Sequence, residues 1–152
     1  MSLQSLGLRD FRCIESAELE LHGRCNLISG ENASGKTSLL EAIFFLGRGR
    51  SFRTARNETL IRKGSHELQL TGRVLKSGRS LPLGLRFGRE GIEARAGGER
   101  LGSLAELAGV MPVQAIDPEV HRLVEEGPQE RRRYLDWGAF HLEPNFVAHW
   151  RP

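Results

Sequence analysis

The first twenty residues alternate between apolar and polar. Leu6 and Leu8 stand two apart within Leu3 to Phe11, and Ala17, Leu19 and Leu21 alternate with Glu18 and Glu20. Successive strand side chains point to opposite faces, so these runs predict two strands, Leu3 to Phe11 and Ile14 to Leu21. Arg12-Cys13 joins them tightly. The short, mostly apolar run Cys25 to Ser29 predicts a buried strand. From Lys36 to Leu46 the period changes. Leu39, Leu40, Ala42, Ile43, Phe44 and Leu46 fit a helix with a wide buried face, stopped by Gly47 and Gly49.

A loop to about Asn57 follows, then a short helical turn over Glu58 to Arg62. Alternation returns at Leu68, Leu70, Gly72 and Val74, at Leu81, Leu83, Leu85 and Phe87, and at Ile92 and Ala94. The turn stretches SGRS (77–80) and AGGE (96–99) punctuate it, so an antiparallel meander with one wet face is expected. Ser103-Leu104-Ala105-Glu106 is a capping box opening a short helix that ends at Gly109. Val113 to Ile116 predicts a small buried strand. Pro118 opens a helix through Val124, and Pro128 opens a longer one. On the latter, Tyr134, Leu135 and Trp137 are expected toward the core, and Arg131, Arg132 and Arg133 outward. The pattern shows no internal boundary, so residues 1–152 are expected to form one unit.

Composition narrows the class. The chain has 152 residues, 39% hydrophobic and 27% charged, typical of a folded soluble domain. No apolar run is long enough to span a bilayer, so no membrane role is expected. Cys13 and Cys25 form no C-x-x-C pair, which fits a reducing, cytoplasmic setting. The histidines lack metal-ligand spacing. The net charge of +3 says little, but its distribution says more. Arg48 to Lys63 holds six basic residues and one acid, Glu58, a stretch suited to a phosphate-bearing partner.

Gly30-Glu31-Asn32-Ala33-Ser34-Gly35-Lys36-Thr37 fits G-x-x-x-x-G-K-[ST] in full. A triphosphate needs converging backbone N–H donors, and a loop with little side-chain bulk lets its amides turn inward. The helix after it adds unpaired N–H groups and a positive dipole end. Lys36 reaches the β- and γ-phosphates, and Thr37 offers its hydroxyl to Mg²⁺. The flanks, CNLIS before and TSLLEAIFFL after, suit the motif. ATP with Mg²⁺ is the expected ligand.

A short hairpin followed by GxNxxGKT resembles the ATPase heads of the SMC and ABC superfamily. Within it, LRDFRCIESAELEL (8–21), GENASGKTSLLEAIFFLGRGRSFRT (30–54), MPVQAIDPE (111–119) and GPQERRRYLDWGAFHLEP (127–144) resemble the RecF family of bacterial recombination mediators. The resemblance implies an α/β fold, the N-terminal lobe of an ABC/SMC-type head, with a mixed sheet and an antiparallel meander packed around the phosphate-loop helix. It implies an ATP-dependent DNA-binding protein that repairs single-strand gaps, restarts replication and serves the SOS response. Its partners are single-stranded and gapped duplex DNA, a RecR-type mediator and a second copy in an ATP-dependent homodimer.

By the same resemblance, Arg12 lies near the nucleotide and Gln114 is the metal- and water-orienting glutamine. Asp117 and Glu119 are chemically as suited to that role as Gln114. Arg48, Arg50 and Arg53 are the DNA-contact candidates. The family's signature segment and acidic Walker B strand have no counterpart in the chain. It is therefore expected to hold no catalytic residue of its own and not to hydrolyse ATP at a useful rate alone. A small-molecule kinase and a non-catalytic nucleotide-binding fragment are the alternative readings.

Overall fold

A computed structural model of the chain describes residues 1–116 and 128–143. These fall into two compact units, Met1–Val113 and Gln114–Pro152.

The first unit is built on a six-stranded sheet in the order β2-β1-β3-β4-β5-β6. Its strands are β1 (Ser2–Phe11), β2 (Ile14–Glu20), β3 (Leu68–Lys76), β4 (Arg79–Gly88), β5 (Gly91–Ala96) and β6 (Glu99–Arg100). Every pairing is antiparallel, and the alternating segments meet in the expected meander. The β3–β4 turn shows why. Lys76 pairs with Arg79, and Ser77 and Gly78 between them both take positive φ, 50° and 77°. That backbone matches the twist of the strands it joins.

Alternation sends Leu6 and Leu8 of β1, Leu68, Leu70 and Val74 of β3, and Leu83 and Leu85 of β4 to one face, where all are buried. Helix α1 (Lys36–Arg48) covers this face with Ala42, Phe45 and Leu46. The Phe45 ring lies between Phe11 at 6.3 Å and Phe87 at 6.2 Å. Burying a ring of this size contributes about 2 to 3 kcal/mol. A Cβ at Gly72 would stand 2.8 Å from Leu46 Cδ2, so glycine there sets how closely the helix approaches β3. A 3₁₀ turn (Asn57–Leu60) follows, and α2 (Leu104–Val110) is capped by Ser103, whose side chain accepts from the Glu106 amide. In the second unit, α3 spans Pro128–Leu142.

Four expectations are corrected. The sheet among the described residues is antiparallel, not mixed. Cys25 to Ser29 and Val113 to Ile116 form no strand, and Leu27 is 90% exposed. An apolar run becomes a strand only where a neighbouring strand takes up its backbone hydrogen bonds, and no described strand pairs with either segment. Gly47 does not stop α1, which runs on to Arg48. Gly47 faces Val113 and Met111 so closely that its missing side chain serves packing rather than termination. On α3, Tyr134 and Leu135 face solvent. The run QERRRY offers no apolar stripe to orient them, while Trp137 is half-buried. The helix expected over Pro118 to Val124, with Asp117 and Glu119, lies outside the described residues.

Candidate functional site

The loop Gly30–Thr37 sits where α1 begins. Gly35 is the residue before the helix and takes φ 94°, a conformation a side chain resists. Gly30, at φ 150°, and Ala33, at φ 64°, complete the turn. The Ser34 amide donates to Glu31 O at 3.3 Å and closes the loop. The amides of Asn32, Ala33, Gly35, Lys36 and Thr37 take no backbone acceptor among the described residues. They therefore present the unpaired N–H groups that a phosphate chain needs.

Lys36 folds over the loop. Its Nζ donates to Gly30 O at 2.8 Å and Glu31 O at 2.6 Å. Thr37 is exposed on the first turn. Behind the loop, Cys13 Sγ lies 3.8 Å from Ser38 Oγ and backs Gly35, so the β1–β2 turn supports the cradle. The donors, the single cation and the open hydroxyl fit a magnesium-bound triphosphate.

Arg12 occupies that turn at φ 55°, an unusual conformation for a residue with a side chain. Its backbone N–H donates to Leu60 O at 2.7 Å. Its guanidinium donates twice to Glu41, from Nε at 2.9 Å and Nη2 at 2.8 Å, and from Nη1 to Thr59 O at 3.0 Å. Arg12 thus lies beside the phosphate-loop helix but is aimed at its second turn.

Glu41 is fully buried, 0% exposed. Besides Arg12 it accepts from Ser51 Oγ at 2.5 Å and Arg53 Nη1 at 3.3 Å. Burial pushes the carboxyl up. Hydrogen bonds from Arg12 and Ser51, with the charges of Arg12 and Arg53, outweigh this and hold it below its ordinary range. Sequence reasoning missed Glu41, Ser51 and Thr59. The available signal was Glu41 itself, the one charged residue in Leu39–Leu46.

The basic loop divides by role. Arg48 is half-buried, donates to Val113 O at 3.3 Å and lies 5.6 Å over the Phe44 ring. Burial, with the nearby Arg50, pushes its guanidinium pKa down. Arg62 pairs with Glu15 at 3.1 Å. Arg53 keeps 45% of its side chain exposed despite touching Glu41. Arg50, Arg56 and Lys63 are exposed and have no ion-pair partner among the described residues. Gln114 is exposed and belongs to the second unit.

With this geometry in place, residues 2–78 match the family described as the RecF/RecN/SMC N terminal domain. The chain belongs to that family. It is 44% identical over 151 residues to the DNA replication and repair protein RecF of Shewanella frigidimarina, covering 99% of this chain and 42% of that protein. The RecF of Aliivibrio salmonicida is also 44% identical, over 152 residues. The chain thus spans less than half the length of the curated relatives it matches.

Among solved structures, the recombination mediator protein RecF–ATP of the RecFOR pathway superposes with a TM-score of 0.87 at 30% identity, covering 96% of this chain and 40% of that one. The SMC head domain from Thermotoga maritima superposes at 0.59 with 18% identity, which shows the shared fold. The α/β head-lobe architecture expected from the sequence is therefore established. No helix among the described residues is long and apolar enough to cross a membrane.

Proposed function

We propose that this chain is the ATP-binding lobe of a RecF-type protein: an ATP-dependent DNA-binding protein in recombinational repair of single-strand gaps, replication restart and the SOS response. Acting with a RecR-type mediator, the whole protein helps load the recombinase. One observation carries the reading: loop amides without a backbone acceptor and the Lys36 ammonium lie together at the start of α1, in a chain 44% identical to RecF along nearly all its length.

In this reading Gly30–Thr37 hold the phosphates. The amides of Asn32, Ala33, Gly35, Lys36 and Thr37, at the start of α1, supply donors and the positive dipole end. Lys36 exchanges the carbonyls of Gly30 and Glu31 for phosphate oxygens. Thr37 would give its hydroxyl to Mg²⁺, which would screen the charge between phosphates. Arg12 stays beside the helix as a structural cation. Arg50 and Arg53 meet DNA through phosphate oxygens, and Arg48 fixes the loop's root.

Hydrolysis we assign to the ATP-dependent homodimer, where groups from both sides stabilise the γ-phosphate. The test is equilibrium binding of a fluorescent ATP analogue, with and without gapped duplex DNA. Lys36→Ala should weaken nucleotide binding at least about tenfold, and DNA should tighten it in the parent. Parent-like affinity in Lys36→Ala, or a metabolite rather than DNA shifting the parent's ATP affinity, would reject the proposal.

A further inference from the structure

The basic loop hangs on a closed circuit of hydrogen bonds. Glu41 accepts from Ser51 Oγ. Ser51 Oγ in turn accepts from the amides of Arg53 at 2.9 Å and Thr54 at 3.1 Å. Thr54 Oγ1 accepts from the Arg56 amide at 3.1 Å, and Arg56 O accepts from Thr59 Oγ1 at 2.8 Å. Thr59 accepts from Arg12 Nη1, and Arg12 returns to Glu41 through two further bonds. The circuit holds three parts of the chain together: the phosphate-loop helix, the β1–β2 turn and the loop carrying Arg50, Arg53 and Arg56.

We infer that Glu41 and Ser51 are positioning residues for phosphate recognition by this loop: they hold its turn so that Arg50, Arg53 and Arg56 are ordered before a nucleic acid arrives. The inference rests on the proposal that this loop meets DNA. Its mechanism is preorganisation, because an arginine on a loop already ordered loses less freedom on binding. Charge compensation allows Arg53 to leave. Arg12 supplies two N–H groups to Glu41 and Ser51 supplies an O–H, so the buried carboxylate stays satisfied when Arg53 turns outward. Of the contacts to Glu41, Arg53 makes the longest, and its side chain is the more exposed of the two arginines.

The inference reverses a simple electrostatic expectation. Removing an anion beside a cationic loop should strengthen its hold on phosphate. If Glu41 acts by positioning, its removal weakens that hold.

The experiment is fluorescence anisotropy with a labelled gapped duplex and the full-length protein, over a salt series. Ser51→Ala should weaken binding about fivefold, the scale of ordering a side chain that was previously held. Its salt slope should match the parent's, since the phosphates contacted are the same, and Ser51→Thr should restore affinity. Glu41→Gln should also weaken binding. Where it fails to fold, as judged by its melting transition, Ser51→Ala and Ser51→Thr decide the question.

Parent-like or tighter binding by Ser51→Ala, while Arg53→Ala weakens binding and flattens the salt slope, overturns the positioning role and leaves the loop's DNA contact intact. No loss in the Arg50→Ala, Arg53→Ala double variant overturns the DNA contact itself, and the positioning role with it.

Discussion

Lys36 Nζ lies 2.8 Å from the carbonyl oxygen of Gly30, a residue at the opposite end of its own loop. The ammonium therefore holds the loop's shape with the same donors it would offer a phosphate. These bonds are exposed, and such bonds add little net stability. Lys36→Ala should lower nucleotide affinity at least about tenfold, the scale of losing a charge-assisted bond. Its melting temperature should stay within about 2 °C of the parent's. Isothermal titration and differential scanning calorimetry on one preparation measure both.

Glu41 gives a pH-dependent prediction. Its carboxyl titrates below the ordinary 4.5 in the folded chain. The stability it contributes is therefore complete above that value and is lost as pH falls through the lower, folded one. Glu41→Gln leaves the Arg12 guanidinium facing an amide and should destabilise the protein by about 3 kcal/mol at neutral pH. The gap between parent and variant should then narrow as acid is added below pH 4.5. Urea titrations at about pH 7, 5 and 3.5 measure it. A gap constant across that range contradicts the assignment.

The sequence made the strands legible because alternation is local. Leu6 and Leu8, or Leu83 and Leu85, state their face within a few residues. The phosphate loop was legible because the chemistry dictates residue types at fixed spacing. Two features were not. Cys25 to Ser29 has a strand's composition, but pairing depends on an edge supplied from elsewhere. The Glu41 circuit joins positions 29 and 10 residues apart, and no periodicity links Arg12, Glu41 and Ser51. Arg48, Arg50 and Arg53 look alike in sequence, and only packing separates them.

That separation is testable. Arg48 stacks over Phe44 and bonds Val113 O, whereas Arg50 is exposed. Arg48→Ala should destabilise the fold by about 1 to 2 kcal/mol through lost packing and an orphaned carbonyl. Arg50→Ala should leave stability within about 0.5 kcal/mol. DNA binding should respond in the opposite order, the Arg50 variant showing the smaller salt slope. Thermal melts and the anisotropy series compare the two variants directly.

Two glycines predict opposite responses to one added methyl group. At Gly47 a Cβ would stand 2.7 Å from Val113 Cγ2 and 2.8 Å from Met111 O. Gly47→Ala should lose about 1 to 3 kcal/mol, since a backbone carbonyl cannot rotate aside. At Gly84, in β4, a Cβ meets nothing within 4 Å. Gly84→Ala should be neutral or gain about 0.5 kcal/mol by restricting the unfolded chain. Chemical denaturation midpoints measure both.

Gly49 ends α1 at φ 62° with its N–H on Phe45 O. That left-handed residue reverses the chain, and two residues later Ser51 reaches the helix again at Glu41. The path is short and leaves no slack. The length from Glu41 to Ser51 is consequently less free to vary than the charges around it. An inserted or deleted residue between Gly49 and Ser51 would swing the hydroxyl away from its acceptor, whereas exchanging the exposed cations would leave that reach untouched.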